Sequence, residues 1–185
     1  MRIISGIYKG KTIKGHNIEG TRPTMDRVKE SLFSMIQLKI KNSVCLDLFS
    51  GSGNLGIECI SNGSKITYFV DNNIQAIKTL KENLNNVYED YIILNKDYME
   101  ALNYFINNNI KFDIILLDPP YKLNYINNIL NIVYENKLLN ENGIVVCEYE
   151  NENIENNNLE LIKEKKYGSK HIKIYRFDKK WYYML

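Results

Sequence analysis

From Ser43 onward, short apolar runs alternate with stretches of helical period, and this alternation constrains the fold more than any other feature of the chain. Residues 44–49, 66–70, 91–94, 112–117 and 143–149 are brief and rich in β-branched or aromatic residues, which predicts five strands. Between them, residues 54–61 read as a helix stopped by Asn62-Gly63. Ile74, Ile77, Leu80, Leu84 and Val87 mark a second helix, and residues 99–106 and 125–134 mark two more. Strands that are apolar on both faces and joined by helices form a mostly parallel sheet covered on both sides. After Leu159, the apolar positions on either side of Gly168-Ser169 predict an antiparallel hairpin closing the sheet. The expected class is α/β and Rossmann-like.

The first 42 residues have a different pattern. Arg2-Ile3-Ile4-Ser5-Gly6-Ile7-Tyr8 and Lys11-Thr12-Ile13-Lys14 alternate around Lys9-Gly10, predicting a small β-hairpin. Thr24 reads as the N-cap of a helix whose apolar face is Val28, Leu32, Phe33, Ile36 and Ile40. The expected organisation is an extension over residues 1–42 and a main domain over 43–185, forming one unit. Charge separates the same regions. The net charge of +2 combines +6 over residues 1–42, +6 over residues 163–185 and −10 between them. Two basic ends suit a polyanion partner. They also suit ordinary solvated faces.

No apolar run approaches the ~20 residues of a membrane span, and the N-terminus has no signal-peptide core. Cys45, Cys59 and Cys147 lie in apolar runs and read as reduced core thiols; His16 and His171 stand apart, so no metal spacing exists. A cytoplasmic setting and no metal are expected.

In open α/β sheets, ligands bind beyond the carboxyl ends of the strands. Those ends carry Asp47, Asp71, Asp97 and Asp118. Gly51-Ser52-Gly53-Asn54-Leu55-Gly56 matches G-x-G-x-x-G, and Asp71 follows Gly51 by 20 residues, the spacing of a ribose-binding acid. These features alone allow a dinucleotide enzyme. Asp47 argues against it, because a carboxylate just before the glycine turn repels a pyrophosphate and attracts an ammonium or sulfonium. The fourth strand ends in Asp118-Pro119-Pro120-Tyr121. Neither proline has an N–H, so carbonyls are left facing outward beside one carboxylate and one aromatic ring. This cluster suits a planar group bearing an NH2. Taken alone, it equally suits a strand-ending turn in which Asp118 caps the next helix.

With these motifs in order, the chain resembles class I amino-methyltransferases. The opening Arg2-Ile3-Ile4-Ser5-Gly6 and Thr21-Arg22-Pro23-Thr24 with Arg27-Val28-Lys29-Glu30 is similar to the bacterial 16S ribosomal RNA guanine-N2 methyltransferases of the RsmD type. Tyr121 stands where Phe is commoner, and Asn54 where a small residue is usual. The resemblance implies a seven-stranded sheet with its last hairpin antiparallel, S-adenosylmethionine as donor, and a guanine of small-subunit RNA as acceptor. Asp47, Gly51 and Gly53 would line the methionine part, and Phe49 would be a further cofactor-binding residue. Asp71 would hold the ribose, Asn72 and Tyr98 would flank the adenine, and Asp97 would accept from its amine. Asp118 and the Pro119 carbonyl would hold the guanine amine, with Pro120 stiffening the turn and Tyr121 stacking on the base. Arg2, Arg22, Thr24 and Arg27 would meet the RNA. The implied partner is ribosomal RNA, in the small subunit or an assembly intermediate, and the implied state is a monomer. The same chemistry on adenine N6 or a protein glutamine, or an inactive RNA-binding relative, are the other readings.

Overall fold

A computed structural model describes residues 1–15, 23–120, 125–150, 153–156 and 158–178, with the side chains of residues 23–26 excepted. Tyr121, Arg22, the side chain of Thr24 and residues 181–185 therefore lie outside the described residues. The elements follow in order: α1 (Pro23–Ile40), β1 (Val44–Asp47), α2 (Asn54–Ser61), β2 (Ile66–Val70), α3 (Ile74–Asn83), β3 (Tyr91–Leu94), α4 (Tyr98–Asn107), β4 (Phe112–Leu117), α5 (Tyr125–Glu135), β5 (Leu139–Tyr149), β6 (Glu160–Tyr167) and β7 (Lys170–Arg176). The seven strands form one sheet in the order β3-β2-β1-β4-β5-β7-β6. β1 to β5 are parallel, while β7 is antiparallel to both β5 and β6. This is the sheet that the sequence predicted.

Burial on both faces explains the short apolar strands. On one face Cys45, Ile114, Leu116, Ile144, Val146, Ile172 and Ile174 pack against Val28, Leu32, Phe33 and Ile36 of α1 and Leu55 and Cys59 of α2. On the other, Leu46, Ile115, Leu117, Val145 and Cys147 meet α4 and α5 through Leu102, Phe105, Ile126, Ile129 and Val133. A third cluster joins Ile3 and Ile13 to Ile57, Ile60, Phe69, Ile77 and Leu80. Residues 1–15 thus have no core of their own and complete the one around α2 and α3.

The N-terminal hairpin is present but shorter than expected. Arg2 and Thr12 form its antiparallel bridge, with Ile3 N–H donating to the Lys11 carbonyl and Ile13 N–H to the Met1 carbonyl, both at 2.9 Å. The amides of Ile4 and Ser5 donate instead to the Glu58 carboxylate at 3.0 and 2.8 Å, and that of Ile7 to the Ser61 carbonyl at 2.8 Å. Amides committed to α2 cannot also extend a ladder. α1 begins at Pro23, so Thr24 is inside the helix rather than before it. A proline tolerates the first helical position because the N–H it lacks has no partner there anyway. β5 begins at Leu139, earlier than expected, through a register shift between Phe112 and Ile114.

Candidate active site

The order β3-β2-β1-β4-β5 reverses direction between β1 and β4, opening a crevice at their carboxyl ends. Asp47 is the last residue of β1 and pairs with Leu116 of β4, so Asp118 stands just beyond it on the neighbouring strand. α1 leads directly into β1, which places its N-terminal end at this same edge. There Lys29 Nζ reaches Asn54 Oδ1 at 2.9 Å. The unusual Asn54 is thereby explained, since its amide oxygen joins α1 to the start of α2.

Asp47 is 2% exposed and accepts the Gly56 N–H at 2.8 Å. Burial, with the Asp71 charge adding to it, pushes its carboxyl up to about 7, against the Gly56 hydrogen bond. A desolvated acid of this kind gains most from a cationic ligand. Gly51 has φ +52°, and a side chain there would point into open space. Gly53 differs: at φ +85° a Cβ would lie 2.4 Å from Leu80 Cδ1, so its missing side chain serves the packing of α3. A Cβ on Gly56 would lie 2.2 Å from the Phe69 ring.

Sequence reasoning overlooked Ser50. Its hydroxyl is buried and without a hydrogen-bond partner among the described residues. The signal was its place in Asp47-Leu48-Phe49-Ser50-Gly51, between a strand end and the glycine turn. An orphaned hydroxyl, an open Gly51 and a desolvated carboxylate side by side fit the polar, cationic methionine end of S-adenosylmethionine.

Asp71 Oδ2 accepts from Gly51 N–H and Oδ1 from Asn73 N–H, both at 2.8 Å, which ties the glycine turn to the end of β2. Asn72 beside it is exposed. Asp97 caps α4 in a capping box: its Oδ1 accepts from Met99 N–H at 2.9 Å, and its own N–H donates to Glu100. One Asp97 oxygen is thus used structurally. Tyr98 belongs to an aromatic trio, 5.6 Å from Phe49 and 4.7 Å from Tyr125, with Phe49 and Tyr125 stacked at 6.2 Å. Tyr125 was read from sequence only as a helix residue, because nothing local shows that α5 starts against the β1 turn.

Pro119 is buried and Pro120 exposed. Asp118 keeps some solvent contact as a residue, but its carboxyl is desolvated and held well above the usual carboxylate range. Burial is the main cause. Glu148, Asp47 and Glu150 push the same way, and Lys170 opposes them. Arg2 and Arg27 are exposed. The crevice therefore brings Asp47, Ser50, Gly51, Asp71 and Asp118 together, with the aromatic trio beside them.

The model of the family described as conserved hypothetical protein 95 matches residues 1–176. The chain is 34% identical over 181 residues to ribosomal RNA small subunit methyltransferase D of Haemophilus influenzae, covering 95% of this chain and 93% of that one. It is 35% identical over 182 residues to the protein of the same name from Buchnera aphidicola subsp. Baizongia pistaciae, covering 95% and 91%. Among solved structures, yhhF of Escherichia coli superposes with a TM-score of 0.81 at 27% identity, over 96% of this chain and 98% of that one.

Proposed function

This chain belongs to the conserved hypothetical protein 95 family, and on that premise we propose that it methylates the exocyclic N2 of a guanine in small-subunit ribosomal RNA, with S-adenosylmethionine as donor. The carrying observation is the pairing of β1 with β4, which sets the Asp118-Pro119 acceptor cluster beside the Asp47–Gly51 cradle. The relatives named as ribosomal RNA small subunit methyltransferase D support the acceptor. The protein acts as a cytoplasmic monomer on the small subunit or an assembly intermediate.

Bound S-adenosylmethionine supplies an electrophilic methyl group on a sulfonium. The chain's residues supply placement and charge. Asp47 and the Ser50 hydroxyl would hold the cofactor's polar end, and Asp71 would offer further lone pairs to ribose hydroxyls. Phe49 and Tyr98 give an apolar flank. The guanine amine is a weak nucleophile because its lone pair is delocalised into the ring. Asp118 and the Pro119 carbonyl accept its two N–H bonds, which favours a pyramidal nitrogen with the lone pair aimed at the methyl carbon. Such acceptors are preorganised for the charge that develops in the transition state, and placement supplies the rest. Asp118 then takes the proton that the methylated nitrogen sheds. The base must leave its stack to reach this edge, and Tyr121 offers an aromatic face to receive it. Arg2, Arg22 and Arg27 hold RNA phosphates around the N-terminus of α1, where the helix dipole favours anions.

The test is methyl transfer from labelled S-adenosylmethionine to unmethylated small subunits, their free RNA, DNA and a glutamine-bearing protein, followed by nucleoside analysis. Label in N2-methylguanosine is the expected result. Label in N6-methyladenine or glutamine would keep the donor and overturn the acceptor.

A further inference from the structure

Asp118 and the Pro119 carbonyl can hold an amine whichever base carries it. The two strands beyond β4 add a charge pattern that the amine does not require. Leu117 pairs with Cys147, so Asp118 and Glu148 stand side by side on parallel strands about 4.8 Å apart. Glu148 pairs in turn with Ile172 of β7, and Lys170 Nζ donates to Glu148 Oε1. Side chains alternate along each strand. Ile114 and Leu116 of β4, Ile144 and Val146 of β5, and Ile172 and Ile174 of β7 all face α1. The same alternation puts Asp118, Glu148 and Lys170 on that face, at one edge. Glu148 is 6% exposed, and the side chains of Glu148 and Lys170 are 8% and 13% exposed. Burial raises the Asp118 carboxyl most, with the Glu148 charge adding to it and Lys170 opposing it, in keeping with the closeness of the three groups.

Across β4, β5 and β7 the row reads carboxylate, carboxylate, ammonium: acceptor, acceptor, donor. Stability gives little reason for the last two. A buried ion pair is commonly no better than apolar packing of the same volume, and the next residues inward are Val146 and Ile172. The Watson–Crick edge of guanine presents the complementary series: the N2 amine donates, N1–H donates, and O6 accepts. Adenine and cytosine place an acceptor ring nitrogen next to the amine, directly against the second carboxylate.

We propose that Glu148 and Lys170 are the residues that select guanine, Glu148 Oε2 accepting N1–H and Lys170 donating to O6 while Asp118 and Pro119 hold N2. Lys170 stays paired with Glu148 Oε1 and orients the carboxylate for N1–H. This assignment rests on the N2-methylation reading above and deepens it.

The test uses small subunits reconstituted with RNA bearing either guanine or 2-aminopurine at the modified position, installed by ligating a synthetic segment. 2-Aminopurine keeps the amine but lacks both N1–H and O6. The wild-type protein is expected to lose ~100-fold or more in kcat/KM on 2-aminopurine, the scale for a site whose buried polar groups are left unpaired. Glu148→Gln keeps the shape and can donate to the bare ring nitrogen. It should lower the guanine rate and narrow the preference to under ~10-fold, by the loss of one charge-assisted bond. Lys170→Met should narrow it as well and carries the test alone if Glu148→Gln does not fold. An unchanged preference in a folded variant would make the pair a clamp between β5 and β7 and nothing more. A wild-type protein that methylates both RNAs equally removes this assignment and leaves N2-methylation standing; one that methylates neither removes the underlying reading.

Discussion

Lys29 and Glu58 form an ion pair 3.1 Å apart, with side chains 3% and 0% exposed. Glu58 also accepts from the Ser5 hydroxyl at 2.7 Å and from the Ile4 and Ser5 amides, and Lys29 donates to the Arg2 carbonyl at 2.6 Å. One pair of side chains thus joins the N-terminal segment, α1 and the helix that follows the glycine turn. Glu58→Ala should cost about 3–5 kcal/mol, because it strands a buried ammonium and several donors. Urea melts measure the loss, and hydrogen exchange at Ile4 and Ser5 should rise with it. A variant as stable as the wild type would show that the segment docks by apolar contact alone.

Asp47 makes the free protein sensitive to pH. A carboxyl raised to about 7 by burial binds its proton more tightly folded than unfolded. Its contribution is therefore fully present below pH ~4 and lost as pH rises through ~7. The wild-type protein should lose a few kcal/mol from this group between pH 5 and 8, and Asp47→Asn should flatten the difference. The same variant should bind S-adenosylmethionine at least ~10-fold more weakly, from the loss of one charge pair. Melts at the two pH values and calorimetric titration measure both effects.

Asp118 must be ionised to take the proton that the methylated amine sheds, and its carboxyl is raised by burial and by Glu148. The acid limb of the rate profile should accordingly lie above the ordinary carboxylate range, activity falling as pH drops through the raised pKa. Asp118→Ala should lower turnover by roughly 10²-fold or more, the scale for a positioned proton acceptor, while cofactor affinity stays close to wild type. Single-turnover rates across pH separate the two effects.

Gly56 is held between Asp47 and Phe69. Gly56→Ala places a methyl group 2.2 Å from the Phe69 ring, within a buried layer. Overpacking should cost about 1–3 kcal/mol and loosen the Asp47 hydrogen bond, so thermal stability and cofactor affinity should fall together.

Replacing Arg22 and Arg27 with Ala should weaken RNA binding and flatten its salt dependence by about one unit of log–log slope for each phosphate contact removed. Fluorescence anisotropy over a potassium chloride series gives that slope. An unaltered slope would return Arg27, which is exposed, to an ordinary solvated face.

Most of the frame was legible because it rests on short-range order. Strands apolar on both faces, such as Ile114 to Leu117, can only be central and parallel, and Asn62-Gly63 stops a helix in any context. The acids after successive strands, the glycine turn and the Asp-Pro-Pro cluster were legible too, since strand ends in such a sheet share one edge. The N-terminal hairpin was legible in kind but not in extent, because alternation describes Arg2 to Tyr8 but cannot reveal that Glu58, over 50 residues away, competes for its amides.

By itself the sequence determined the class, the order of elements and the acids along one edge, because hydrophobic period and turn chemistry are local. Tertiary structure decided what each group faces. Gly51 is open while Gly53 is filled by Leu80, Ser50 is left unpartnered among the described residues, Tyr125 joins Phe49 and Tyr98, and Glu148 with Lys170 extends the row begun by Asp118. Those relations depend on strand register and on which helix covers which face. Both are set by contacts between residues far apart in the chain, where no local pattern carries a signal.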